Sequence, residues 1–331
     1  MQYRVIISEA WNLTQNNKRL IWAFAFVPAI LSTLVGVVYM SYQVAAFWTS
    51  PYINPDIPED KHAFRFVLTT IFELLKTMPG LTVFLLVIVG IVVLGYLMVP
   101  VFSQGALIQT LARLRAGQNI SIAEGVSFGF SRFLQLFEYH LLVRSFSFFS
   151  LLTEMFFAYR NLGPTAFEFF GWVFLLVICV GLLLTLLFTY SEYYIVIDKE
   201  GVMASVLKSC GLVMRQWHHT LLMLFLMSVI IVRLALNVLA ALLLPLLVVA
   251  PLFIFTSLTL AKIGVAIGAV LALVGLYFTS YFLGVFHVFT TGVWTFTFLE
   301  LTAKEKNDID LHTAAVKHEG GHSNQAEPSE P

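Results

Sequence analysis

The stretch Leu81-Thr82-Val83-Phe84-Leu85-Leu86-Val87-Ile88-Val89-Gly90-Ile91-Val92-Val93-Leu94-Gly95-Tyr96-Leu97-Met98-Val99-Pro100-Val101-Phe102 decides the fold. It contains no charged residue and is mostly Val, Leu and Ile. A bilayer core of about 30 Å needs about 20 apolar residues in helical form. This segment is therefore read as a transmembrane helix, interrupted by Gly90, Gly95, Tyr96 and Pro100.

Five further segments pass the same test on either side of it. They are residues 20–48, with Pro28 near the start, then 133–159, 169–190, 220–242 and 264–298. The expected fold is an all-α polytopic transmembrane bundle of six spans, occupying residues 1–301. The stretch Leu242 to Lys262 is also apolar and long enough to cross, but Pro245 and Pro251 would kink it. It is read as a kinked extension of the fifth helix, and a seventh crossing is the alternative. Residues 302–331 are polar, end in Glu-Pro-Ser-Glu-Pro and are expected to be a disordered tail. His312, His318 and His322 belong to that tail and are read as solvated.

Composition agrees. Of 331 residues, 59% are hydrophobic and only 11% charged, and the mean hydropathy is +0.86. A soluble domain needs about 25% charged residues to solvate its surface. A formal net charge of zero argues against a nucleic-acid partner. Cys179 and Cys210 are far apart and suggest neither a disulfide framework nor a metal site. The first apolar run is too long for a cleaved leader and is read as a span that stays in place.

Charge placement orients the spans. With the N-terminus inside, twelve Lys and Arg residues fall on the cytoplasmic side, among them Lys18, Arg19, Arg113, Arg115, Arg132 and Arg215. Five fall outside: Lys61, Arg65, Lys76, Arg160 and Lys262. This is the positive-inside bias. It predicts a cell-membrane protein with both termini cytoplasmic. The external connection 50–80 carries an apolar and basic pattern, Phe64 to Lys76, that predicts an interfacial helix.

Three cytoplasmic stretches share one pattern of basic and aromatic residues leading directly into a span: Ser8 to Trp22, Ile122 to Tyr139 and Val202 to His219. Such segments suit the inner leaflet, with rings at headgroup depth and cations near lipid phosphates. They divide the expected bundle into three helical hairpins, each prefaced by an elbow.

Gly105-Ala106-Leu107-Ile108, Ala123-Glu124-Gly125, Tyr194-Ile195-Val196-Ile197 and Val206-Leu207-Lys208-Ser209 give the chain a further likeness. It resembles the bacterial six-helix glycerophosphoryl diester phosphodiesterase membrane-domain group and its relatives. The resemblance implies a six-helix membrane domain. Some members attach that part to a soluble phosphodiesterase domain; here only short loops and a polar tail lie outside the membrane. The enzymatic activity is not carried over.

Ionisable groups inside a span cost about 2.5–3.5 kcal/mol on insertion scales, so each needs a reason. On a continuous third helix, His140, Arg144, Ser147 and Glu154 fall within about 80° of one another. The fifth helix adds Arg233 and Asn237, and the sixth adds His287 with Ser280, Gly284 and Thr291. Either these residues hold the bundle together, or they line a cavity in which Arg144 and Arg233 receive an anionic group. No catalytic, cofactor or metal motif accompanies them. The expected role is non-enzymatic: a bundle that organises lipids, membrane-protein partners or further copies of itself. A transporter or lipid carrier is the alternative.

Overall fold

A computed structural model describes residues 2–58, 62–144, 148–233, 236 and 258–321, and among these there is no strand. In chain order the helices are α1 (Tyr3–Asn16), α2 (Lys18–Trp48), α3 (Ala63–Thr77), α4 (Pro79–Arg115), α5 (Ile122–Ser131) and α6 (Phe133–Arg144). They continue as α7 (Phe148–Leu187), α8 (Ser191–Val196), α9 (Val202–Arg215), α10 (Trp217–Arg233) and α11 (Leu258–Gly321).

Four stretches are long and apolar enough to cross a membrane: Lys18–Trp48, Pro79–Arg115, Phe167–Val196 and Leu273–Lys304. The bent pair α9 and α10 makes a fifth if counted as one crossing. The expected third span, 133–159, is not one described helix: α6 ends at Arg144, and 145–147 lie outside the described residues. Residues 220–242 are described as helix to Arg233, and most of Leu242–Lys262 lies outside the description.

The expected elbows, 8–22, 122–139 and 202–219, correspond to α1, α5 and α9 together with the first residues of the helix that follows each. Each of α1, α5 and α9 ends at one residue with a non-helical backbone: Asn17 (φ −114°, ψ 54°), Arg132 (φ −127°, ψ 16°) and Gln216 (φ −118°, ψ 33°). The same residue opens the next helix. The carbonyl of Asn17 accepts from Leu20 N–H at 2.9 Å, that of Arg132 from Leu136 at 3.0 Å, and that of Gln216 from Thr220 at 3.2 Å. A carbonyl that accepts the first bond of a helix marks its N-cap. One residue thus closes the elbow and starts the following helix, and between α9 and α10 it turns the chain by 94°.

Local chemistry secures the middle elbow. Ser121 accepts from the Glu124 N–H at 3.3 Å, while the Ser121 N–H donates to the Glu124 carboxylate at 2.9 Å. This is a reciprocal capping box. The Ser121 backbone bond, ahead of its hydroxyl, holds the Glu124 carboxyl below the usual carboxylate range. On the inner face of α5, a Cβ at Gly125 would stand 2.7 Å from the buried Phe24 ring, and one at Gly129 would stand 2.6 Å from Phe102. Only glycine permits so close an approach of α5 to α2 and α4.

The core lies at the elbow end. One cluster joins Ile6 and Ala10 of α1 to Phe24, Leu107, Met223, Val293 and Phe296. A second joins Ile108, Leu136, Tyr190, Ile195, Leu212 and Phe298. Helices α4 and α11 contribute to both. Toward the far end, α4 is lipid-facing in character: Leu81, Phe84, Val87 and Ile91 are all exposed. Burial and hydropathy run in opposite order. The most apolar window of Pro79–Arg115 is 6% buried with hydropathy 2.8, while that of Leu273–Lys304 is 56% buried with hydropathy 1.5. A helix surrounded by protein tolerates hydroxyls, and Thr295 and Thr297 donate to their own i−4 carbonyls at 2.6 and 2.7 Å.

Two differences from the sequence expectation concern helix length. The second and fourth spans extend beyond 102 and 190, to Arg115 and Val196, because their ends are covered by elbows rather than water. The last helix also continues past Thr302 to Gly321. Residues 302–319 contain neither Gly nor Pro and include several Ala, Lys and Glu residues, which favour helix.

Candidate functional site

The polar residues of the core meet on the elbow side of the bundle, and a helix break places the central one. Helix α7 ends at Leu187, and α8 begins at Ser191. Backbone groups freed by a buried break need partners within the protein. Ser209 of elbow α9 supplies them, donating its hydroxyl to the Leu187 carbonyl at 2.7 Å and accepting from the Tyr190 N–H at 3.1 Å. Tyr139 adds a bond from its hydroxyl to the Phe188 carbonyl at 2.9 Å. The chain therefore breaks and resumes, with Glu192 in the first turn of α8.

Glu192 is the hub. One carboxylate oxygen accepts from the Gln104 side-chain amide at 2.9 Å. The other lies 3.5 Å from His140 Nε2. That is beyond a good hydrogen bond, and among the described residues His140 Nε2 is buried with no hydrogen-bond partner. The Gln104 carbonyl accepts from the Thr291 hydroxyl at 3.4 Å. His287, one turn before Thr291, lies within electrostatic reach of Glu192. The first, second and third hairpins of the sequence reading each contribute: Gln104 from α4, His140 and Glu192 from α6 and α8, His287 and Thr291 from α11.

Of the six candidate residues read from the sequence, the structure brings together His140 and His287. Arg233 is exposed and lines a separate groove of about 1390 Å³ together with Arg4, Trp11, Ile230 and Phe286. Glu154 is exposed and accepts from Ser150 at 3.5 Å on its own helix. Arg144 is the last described residue of α6, its side chain outside the description, and Asn237 lies outside the described residues.

Sequence reasoning passed over Gln104 and Glu192. The expected fourth span stops at Tyr190, two residues short of Glu192, because a bilayer-length window was imposed on a chain that breaks and continues. The signal was present: Glu192 interrupts the apolar run Leu182 to Ile197, and an ionisable residue in such a run calls for a partner.

The cluster links α8 to α4 and α4 to α11 by hydrogen bonds, with His140 of α6 beside it. Among the described residues no three His, Cys, Asp or Glu side chains are arranged to hold a metal ion. Its surroundings are aromatic: Phe298 lies 5.7 Å from Tyr193, 4.8 Å from Tyr194 and 6.2 Å from Tyr190, ring centre to ring centre. Comparison of the chain with protein-family models, curated proteins and solved structures finds no match.

Proposed function

We propose that this chain is a non-enzymatic, six-span membrane bundle that organises lipid and partner proteins along the inner leaflet through its three elbow helices. Both ends of the bundle's chain lie on the cytoplasmic side in this reading, as the distribution of Lys and Arg favours. The observation that carries it is the two-sided character of α9. One face buries Ser205, Val206, Ser209, Leu212 and Val213 against the bundle. The other exposes Met203, Leu207 and Met214, each by about two thirds of its surface (67%, 66% and 67%). Elbow α1 repeats the arrangement, with Ile6 and Ala10 buried and Val5 and Trp11 exposed. An exposed apolar stripe rimmed by polar groups marks a lipid or protein contact.

The likeness to the six-helix membrane-domain group belongs to the same proposal. The four segments that carry it all fall in the elbow-end half, where Gly105 to Ile108 and Tyr194 to Val196 are buried.

A photo-crosslinking amino acid at Leu207 tests the proposal in native membranes, with Leu85 on the far half of α4 as reference. Position 207 should give defined protein adducts in addition to lipid, and Leu85 lipid alone. Identical products at the two positions would sink the organising role.

A second reading, a lipid carrier, draws on the Arg233 groove, whose wall is largely apolar with two cations. It requires wild-type protein to move lipid in proteoliposomes, with Arg233→Ala slowing that movement. Movement no faster than in empty vesicles would exclude it.

A further inference from the structure

We propose that a pocket at the far end of the bundle, built around Arg160, binds a phosphate group. The inference stands apart from the elbow helices and from the Glu192 cluster. The pocket measures about 310 Å³ and lies between the end of α2, the loop that follows it and the turn inside α7. That is about ten times the share of one water in the liquid.

The turn is held open by geometry. Gly163 has φ +82° and ψ 170°, which separates α7 into residues 148–162 and 164–187. Positive φ favours glycine, and a Cβ there would stand 2.6 Å from the Tyr52 ring. Ser50 donates its hydroxyl to the Arg160 carbonyl at 2.8 Å. These contacts pin the loop after α2 onto the turn in α7 and make the pocket a built feature.

Arg160 is only 8% exposed. Its guanidinium donates to the Gln43 side-chain carbonyl at 2.9 Å and stands 5.4 Å from the Phe157 ring and 5.9 Å from that of Tyr42. Among the described residues, no carboxylate is paired with it. A guanidinium carries five N–H donors and stays charged, and among the described residues the Gln43 carbonyl is its one hydrogen-bond acceptor. His62, on the same wall, has its Nε2 buried and, among the described residues, without a hydrogen-bond partner. A planar fork beside a second ring nitrogen matches the oxygens of a phosphate. Tyr42 lines the pocket, with Trp48 and Tyr52 nearby in the chain, and Trp and Tyr favour the headgroup level of a bilayer. A lipid phosphodiester and a soluble phosphate would present the same chemistry here.

Hydrogen exchange of the full chain in phosphate-free maltoside micelles tests this. Three probes are added in turn: phosphatidylglycerol, diacylglycerol and inorganic phosphate. Phosphatidylglycerol should slow exchange several-fold in residues 42–52 and 157–163, and diacylglycerol should not. The same protection from inorganic phosphate would identify a soluble source, and its absence a lipid headgroup. Arg160→Ala should abolish the protection, while Arg160→Lys should retain part of it as a point charge. Should Arg160→Ala fail to fold, His62→Leu takes its place and should weaken protection with Arg160 intact. Protection by neither phosphate probe overturns the proposal. Equal protection by diacylglycerol, or protection unchanged in the folded variants, overturns it as well.

Discussion

Phe298→Ala is expected to destabilise the bundle by about 3 kcal/mol, the low end of the range for truncating a buried aromatic side chain. Phe298 is 1% exposed and packs against Tyr190, Tyr193 and Tyr194. In a bilayer the transfer part of that cost shrinks, because the unfolded helices remain in an apolar solvent. The remainder is lost contact around a cavity that the rigid neighbouring rings cannot fill. Phe298→Leu should therefore cost less than half as much. Leu85→Ala should shift stability little, because Leu85 is 46% exposed and packs against little protein. Unfolding in dodecyl sulfate, followed by tryptophan fluorescence, measures all three. Equal losses for Phe298→Ala and Leu85→Ala would mean that the core is not at the elbow end.

Glu192→Leu should have the second largest effect, about 2 kcal/mol, within the range for leaving buried polar groups unmade. Single hydrogen bonds between membrane helices average only about 0.6 kcal/mol. The higher figure is expected because one carboxylate serves both Gln104 and His140. Glu192→Gln keeps an acceptor for Gln104 and should recover much of the loss. The double variant Gln104→Leu with Glu192→Leu should be more stable than Glu192→Leu alone, since removing both partners leaves no orphaned amide. Additive losses in that pair, read by the same unfolding assay, would contradict a shared site.

The architecture was legible wherever one physical rule governs. The uncharged apolar run at 81–102 read correctly as one long helix, apolar enough to cross a membrane, because no residue in it calls for water. The bends were legible too: near each switch from basic and aromatic residues to an apolar run, Asn17, Arg132 or Gln216 breaks the helix. Polar contacts were harder to read. His140 and His287 stood out as ionisable groups in apolar runs, but their partner depends on a break at Phe188 to Tyr190. That break is stabilised by Ser209, which follows it by about twenty residues, and no local pattern announces it. Arg160 was read only as one of five external charges. Its burial depends on Gly163 and Tyr52 meeting across hairpins, a contact that periodicity does not encode.

The central claim is that three elbows lie on one face of the membrane and turn three hairpins into it. Cysteine accessibility tests it most directly. In a background with Cys179 and Cys210 replaced by serine, single cysteines are placed at Gln118, Lys199, Asn54 and Thr165. An impermeant maleimide should label 118 and 199 from one side of sealed vesicles, and 54 and 165 from the other. Labelling of 118 and 199 from opposite sides would contradict the account.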